Sequence, residues 1–156
     1  MSNFLDFAHV HTPHRKEIEV DEFMRRTIDG LPLHKFEKVR LKLRNDDPHA
    51  RHLMDASLLS QALTNIILNA LEVSPENGEV EVGSRMEDGL LRIWVRDEGP
   101  GMDEVTRKKI FQPFFTTKTS GSGLGLAIVH KIIESQNGRV ECFSAPGEGS
   151  TFYIVM

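Results

Sequence analysis

Apolar residues recur at three- and four-residue spacing over residues 56–73. There Leu58, Leu59, Ala62, Leu63, Ile66, Ile67 and Ala70 make one broad stripe, which predicts the longest helix of the chain, with Asp55 as its N-cap. A second helical period, carried by Leu126, Val129, Ile132 and Ile133, runs over 123–136 and stops at Asn137-Gly138. Shorter helices are predicted from Asp21, as cap, through Ile28, and over 102–110. Alternating apolar and polar positions mark strands at 39–44, 91–96, 140–143 and 151–155, with short extended pieces at 18–20 and 80–82. Asp88-Gly89 has the composition of a hairpin turn, and Asn45-Asp46-Asp47-Pro48 that of a loop. Residues 4–10 show near-helical spacing that ends at Thr12-Pro13 and read as the tail of a preceding helix.

A chain of 156 residues is long enough for a single core, and one domain is expected. Residues 1–17 are assigned to the tail and linker of a preceding domain and 18–156 to one domain. No apolar run approaches the roughly 20 residues of a membrane span, and there is no signal-like start, so the expectation is a cytoplasmic setting without membrane contact. The single Cys142 fits a reducing compartment. A net charge of −4 argues against a general nucleic-acid binder and leaves Arg40, Lys42 and Arg44 as the solvated face of a strand. His9, His11 and His14 cluster near the start, but no Cys or convergent acid accompanies them, so solvated histidines are expected rather than a metal site.

The chemistry concentrates in three places. Asn65 and Asn69 interrupt the strongest helix one turn apart on one face, although Asn is a poor helix former. A strand ends in Asp97-Glu98-Gly99-Pro100-Gly101, which sets a carboxylate at the mouth of a sheet beside glycines that admit a ligand close to the backbone. Phe111-Gln112-Pro113-Phe114-Phe115-Thr116-Thr117-Lys118 leads through a small, polar hinge to Gly121-Ser122-Gly123-Leu124-Gly125-Leu126, a glycine-rich loop that opens a helix. Together these describe a nucleotide site. An ionised Asp97 accepts from the exocyclic amine of adenine, Asn amide oxygens suit Mg²⁺, and Lys118 with the helix start offers positive potential to phosphates.

These motifs resemble the ATP-binding catalytic domain of bacterial sensor histidine kinases, in the superfamily that also holds DNA gyrase, heat-shock chaperones and mismatch-repair ATPases. Asn65 to Asn69 matches the N box, 97–101 and 121–126 two glycine boxes, 111–118 the F box and Gly149-Ser150-Thr151-Phe152 the final glycine box. The wording of the F box is most similar to the nitrogen-sensor branch. The resemblance implies an α/β (α+β) two-layer sandwich with a mixed, mostly antiparallel sheet packed on helices, and ATP and Mg²⁺ held between the N-box helix and a lid over 102–122. Within that site it implies Asp97 with Thr151 at adenine, Gly99 and Gly101 beside the base, and Asn69 as the main metal ligand with Asn65 its neighbour. Lys118 would reach the γ-phosphate, and Gly121, Gly123, Leu124, Gly125 and Leu126 would wrap the phosphates. It further implies transfer of the γ-phosphoryl group to a histidine of a dimerisation domain, relay to the aspartate of a response regulator receiver domain, a monomeric fragment and a homodimeric full-length protein.

Two features depart from the pattern. Glu72 stands where many members carry Lys or Arg, and none of the seven histidines has the acid and Asn-Pro setting of a phosphoacceptor box, so the acceptor would come in trans. Three rivals stay open on the residues alone. One is a superfamily ATPase, which would carry a Glu base where this chain has Asn65. The others are a serine kinase of the anti-sigma type and an ATP-binding module without catalysis.

Overall fold

In the computed structural model, residues 12–119 and 121–156 are described. The helical tail expected at 4–10, His9 and His11 lie outside them. The elements follow in the order β1 (Lys16–Glu19), α1 (Val20–Asp29), a 3-10 turn (Leu33–Lys35), β2 (Arg40–Asn45), β3 (Arg51–Met54), α2 (Ala56–Val73), β4 (Glu79–Glu87), β5 (Leu90–Asp97), α3 (Glu104–Arg107), α4 (Gly125–Ser135), β6 (Arg139–Ser144) and β7 (Ser150–Val155). Five strands form one sheet in the order β2-β4-β5-β7-β6, and β1 and β3 form a separate two-stranded ribbon. β2 runs parallel to β4 while the other neighbours in that sheet are antiparallel, so the sheet is mixed and mostly antiparallel, as the resemblance implies.

The period-two pattern of β5 turns Leu91, Ile93 and Val95 to one face, and Val80, Val82, Phe152 and Ile154 join them there. Against that face lie Leu59, Leu63, Ile66 and Ile67 of α2 and Ile128, Ile132 and Ile133 of α4, all essentially buried. Each such side chain contributes about 1.5–3 kcal/mol on leaving water, so this one interface dominates stability. The opposite face carries the charged partners of the alternation, among them Arg40, Lys42 and Arg44. Cys142 sits on the core side, and burial pushes its thiol up to about 12, which leaves it unreactive.

Asp55 caps α2 as expected and does more than cap. Its Oδ1 accepts from the Leu58 N–H at 3.1 Å and its Oδ2 from the His14 N–H at 2.8 Å, while its own N–H donates to Gln136 Oε1 at 2.7 Å. One buried residue, through its carboxylate and its N–H, thus ties His14, the head of α2 and the end of α4 together. Asp55→Ala removes the cap and leaves two N–H groups without their acceptor, and the expected loss of stability is about 1–3 kcal/mol in a urea titration.

Four local expectations are corrected. α1 begins at Val20 with Glu19 as N-cap, because β1 runs directly into the helix; Asp21 lies inside the first turn, paired with Arg25 and Asn45. Arg51–Met54, outside every predicted strand, is a strand paired with β1. The helix expected at 102–110 shortens to Glu104–Arg107, capped by Asp103. The piece expected at 80–82 extends to Glu87. Among the described residues no helix is long and apolar enough to cross a membrane, and no group of three His, Cys, Asp or Glu side chains is placed to hold a metal.

Candidate nucleotide site

Asp97 continues the inward parity of Leu91, Ile93 and Val95, so the same alternation that builds the core delivers a carboxylate to its upper rim. It is only 4% exposed, and its Oδ1 accepts from the Gly99 N–H at 2.8 Å and the Ser150 N–H at 3.2 Å. Burial raises the carboxyl above its ordinary value, and those two backbone N–H groups pull it part of the way back. Both bonds fall on Oδ1, and neither uses Oδ2. Gly149 makes this close assembly possible. Its φ is +72°, and a Cβ there would stand 2.2 Å from the Asp97 carbonyl oxygen.

The second wall is one face of α2. Asn65 is half-buried, and its Nδ2 donates to the Gly125 carbonyl at 3.4 Å, joining α2 to the head of α4. One turn on, Asn69 Oδ1 accepts from Lys118 Nζ at 3.0 Å, and the same ammonium pairs with Glu72. The third wall is the segment between α3 and α4. The ring of Phe111 packs edge-on against Phe152 at 6.3 Å and anchors the segment, whereas Phe114 points outward and is 64% exposed. Phe114 has φ +66°, and its N–H donates to the Gly123 carbonyl at 3.0 Å. Gly123 itself has φ +72°, and a Cβ there would meet the Phe114 backbone at 2.5 Å. That left-handed residue is why α4 begins at Gly125 and not at Gly123.

These walls enclose a cavity of about 520 Å³, within the range of small-molecule sites. Of the predicted site residues, Asn65, Asn69, Asp97, Gly101, Lys118, Gly121, Gly123, Gly125 and Leu126 line it. Three do not. Gly99 acts through its N–H on Asp97, and Leu124 is 3% exposed in the core. Thr151 pairs with Arg96 on the other parity of the strand, and Ser150, opposite Asp97, takes the place expected for it. Ser150 was legible: Phe152 and Ile154 face inward, and two-residue periodicity sends Ser150 the same way. Phe115, Met102 and Ile110 line the cavity as its apolar part, which no spacing rule announced.

A mostly apolar slot with a buried carboxylate at one end, and amides, a lysine and glycine-rich backbone at the other, defines a nucleotide-binding domain of the α/β sandwich type. Residues 54–156 match the family described as histidine kinase-, DNA gyrase B-, and HSP90-like ATPase, and the chain belongs to that family. It is 41% identical over 103 residues to the signal transduction histidine-protein kinase AtoS of Escherichia coli, covering 65% of this chain and 17% of AtoS. The chain therefore spans under a fifth of the length of that relative. Among solved structures, the catalytic domain of histidine kinase ThkA superposes with a TM-score of 0.81 at 31% identity, over 92% of this chain and 95% of that domain. Full-length ShkA in complex with AMPPNP superposes with a TM-score of 0.87 at 28% identity, over 99% of this chain and 34% of ShkA. ThkA in complex with the response regulator TrrA gives 0.82 at 26% identity, over 99% of this chain and 45% of that one. The chain is an ATP-binding domain of the histidine-kinase catalytic type.

Proposed function

We propose that this domain binds Mg²⁺·ATP and transfers the γ-phosphoryl group to a histidine ring nitrogen on a separate dimerisation domain, with ADP leaving. Residues 1–17 are then the tail and linker of the helix that precedes it in a cytoplasmic, homodimeric parent kinase, and the phosphoryl group passes on to a response regulator aspartate. The fragment is monomeric by itself. The observation that carries this reading is one cavity lined both by the buried carboxylate of Asp97 and by Asn65, Asn69 and Lys118, with Lys118 donating to Asn69 Oδ1.

Asp97 Oδ2 accepts from the adenine amine, and Ser150 beside it takes the role first expected of Thr151. The apolar slot holds the base and excludes water. Asn69 Oδ1 already draws a cation, the Lys118 ammonium, and this oxygen with Asn65 forms a hard donor set suited to Mg²⁺. When bound, that ion neutralises phosphate charge and links the nucleotide to α2. Lys118 meets the terminal phosphate, while N–H groups around Gly121 to Gly125 face the phosphate chain. Asn65 separates this reading from rapid hydrolysis, because an amide cannot take a proton from water.

Asp97→Asn tests the adenine end by calorimetry. Binding of ATP is expected to fall at least about 10-fold, since the amide cannot offer the same charged acceptor. The thermal midpoint at pH 7 is expected to hold or rise. A raised native pKa means that the folded chain holds this proton more tightly than the unfolded one, so the ionised carboxylate costs stability above the raised value. That cost vanishes as the pH falls below the ordinary 3.8. Undiminished ATP binding in the variant would rule this role out.

A further inference from the structure

Among the described residues that line the cavity, Glu72 is the one charge that the nucleotide reading leaves without a task. It follows Asn69 by three residues and Asn65 by seven, so all three lie on one face of α2. A lone carboxylate on that face repels a triphosphate. It is not alone: Lys118 Nζ pairs with its Oε2 and donates at 3.0 Å to Asn69 Oδ1. The lysine assigned to the γ-phosphate is thus already held twice, and one holder is the oxygen assigned to the metal.

We infer that Glu72 is a specificity-determining residue that exchanges Lys118 with the terminal phosphate, giving it up to a nucleoside triphosphate and recovering it from the diphosphate. This rests on the nucleotide reading of the site. A terminal phosphate carries more charge than a carboxylate and three acceptor oxygens, so it displaces Glu72 from the ammonium. As Lys118 swings off, Asn69 Oδ1 becomes free for the cation that accompanies the triphosphate. Once the γ-phosphoryl group has left, the phosphate that held Lys118 is gone from its place, and Lys118 returns to Glu72 on α2. Lys118 and Glu72 are 35% and 47% exposed, which makes the pair a weak hold suited to exchange and not a permanent lock. A basic residue at this position, by contrast, would grip phosphate before and after transfer alike.

The test is calorimetry with Mg²⁺ and either ATP or ADP on the wild-type chain, Glu72→Gln, Lys118→Met and the double variant. Glu72→Gln is expected to bind ATP roughly 3- to 10-fold more tightly, with ADP affinity changed less than about twofold. In the Lys118→Met background, where the carboxylate can only repel, the same substitution is expected to tighten ATP and ADP by the same small factor, with the preference for ATP gone. Equal gains for ATP and ADP would show plain repulsion of the shared phosphates and overturn the inference. So would an ATP-selective gain that persists without Lys118, or no gain at all. A wild-type chain that binds neither nucleotide overturns the nucleotide reading along with the inference, whereas wild-type binding with an indifferent Glu72→Gln overturns the inference alone.

Discussion

Asn69→Ala is expected to remove Mg²⁺-dependent ATP binding while leaving the domain folded and no less stable. The substitution deletes the oxygen that Lys118 now occupies at 3.0 Å, on the face of α2 that lines the cavity. Loss of one oxygen partner to a charged group weakens binding on the order of 10- to 100-fold, before any coupled loss of Lys118 orientation. Stability moves the other way. Asn69 is half-buried in the middle of an 18-residue helix, and alanine is the better helix former by up to about 0.7 kcal/mol. The melting midpoint should therefore hold or rise as binding disappears, a signature that separates a functional amide from a structural one. Calorimetry with ATP in Mg²⁺ and in EDTA, alongside thermal unfolding of the same sample, checks both halves. A variant that melts lower and binds normally would return Asn69 to the role of a packing residue.

Gly149→Ala is expected to damage fold and site together. At φ +72° any L-residue bears a left-handed conformation, costing about 1–2 kcal/mol, and the new methyl would stand 2.2 Å from the Asp97 carbonyl oxygen. The backbone has to move, at a further cost of about 1–3 kcal/mol. The segments it displaces are the ones that hold the Asp97 carboxylate through the Gly99 and Ser150 N–H groups. ATP binding should be lost and the urea midpoint should fall. Gly147 offers the control. Its φ is +78°, yet nothing lies within 4 Å of a Cβ there, so Gly147→Ala carries the conformational strain without the collision. The difference between the two variants measures the contact itself, and similar behaviour in both would show that the approach to Asp97 is unimportant.

Much of this architecture was legible because local patterns and global fold agree. The stripe of α2 reads unambiguously, and Asp55 is both a good cap by composition and the residue that caps it. The alternation of β5 places Asp97 at the rim without further information. Illegible parts share one physical cause: they depend on contacts distant in sequence. Arg51–Met54 is extended because β1 pairs with it, not because Arg-His-Leu-Met favours a strand. Asp21 has the composition of a cap, but the ribbon sets the cap two residues earlier, at Glu19, and leaves Asp21 to pair with Asn45. Leu124 belongs to the core because left-handed Gly123 rotates the loop before α4 begins. In the final glycine box, motif matching favoured Thr151, while strand parity, equally visible in the sequence, favours Ser150. The Lys118–Glu72 pair joins residues 46 apart and lay beyond any spacing rule.

The central claim is kinase chemistry and not hydrolysis, and γ-labelled ATP with Mg²⁺ tests it directly. The chain is incubated alone and then with a separately produced helical domain bearing a phosphoacceptor histidine. The account predicts slow phosphate release by the chain alone and, once the acceptor is added, label on that domain in an acid-labile, base-stable bond, lost in Asn69→Ala. Rapid phosphate release that is indifferent to the acceptor, with no label transferred, would contradict it and identify the domain as an ATPase.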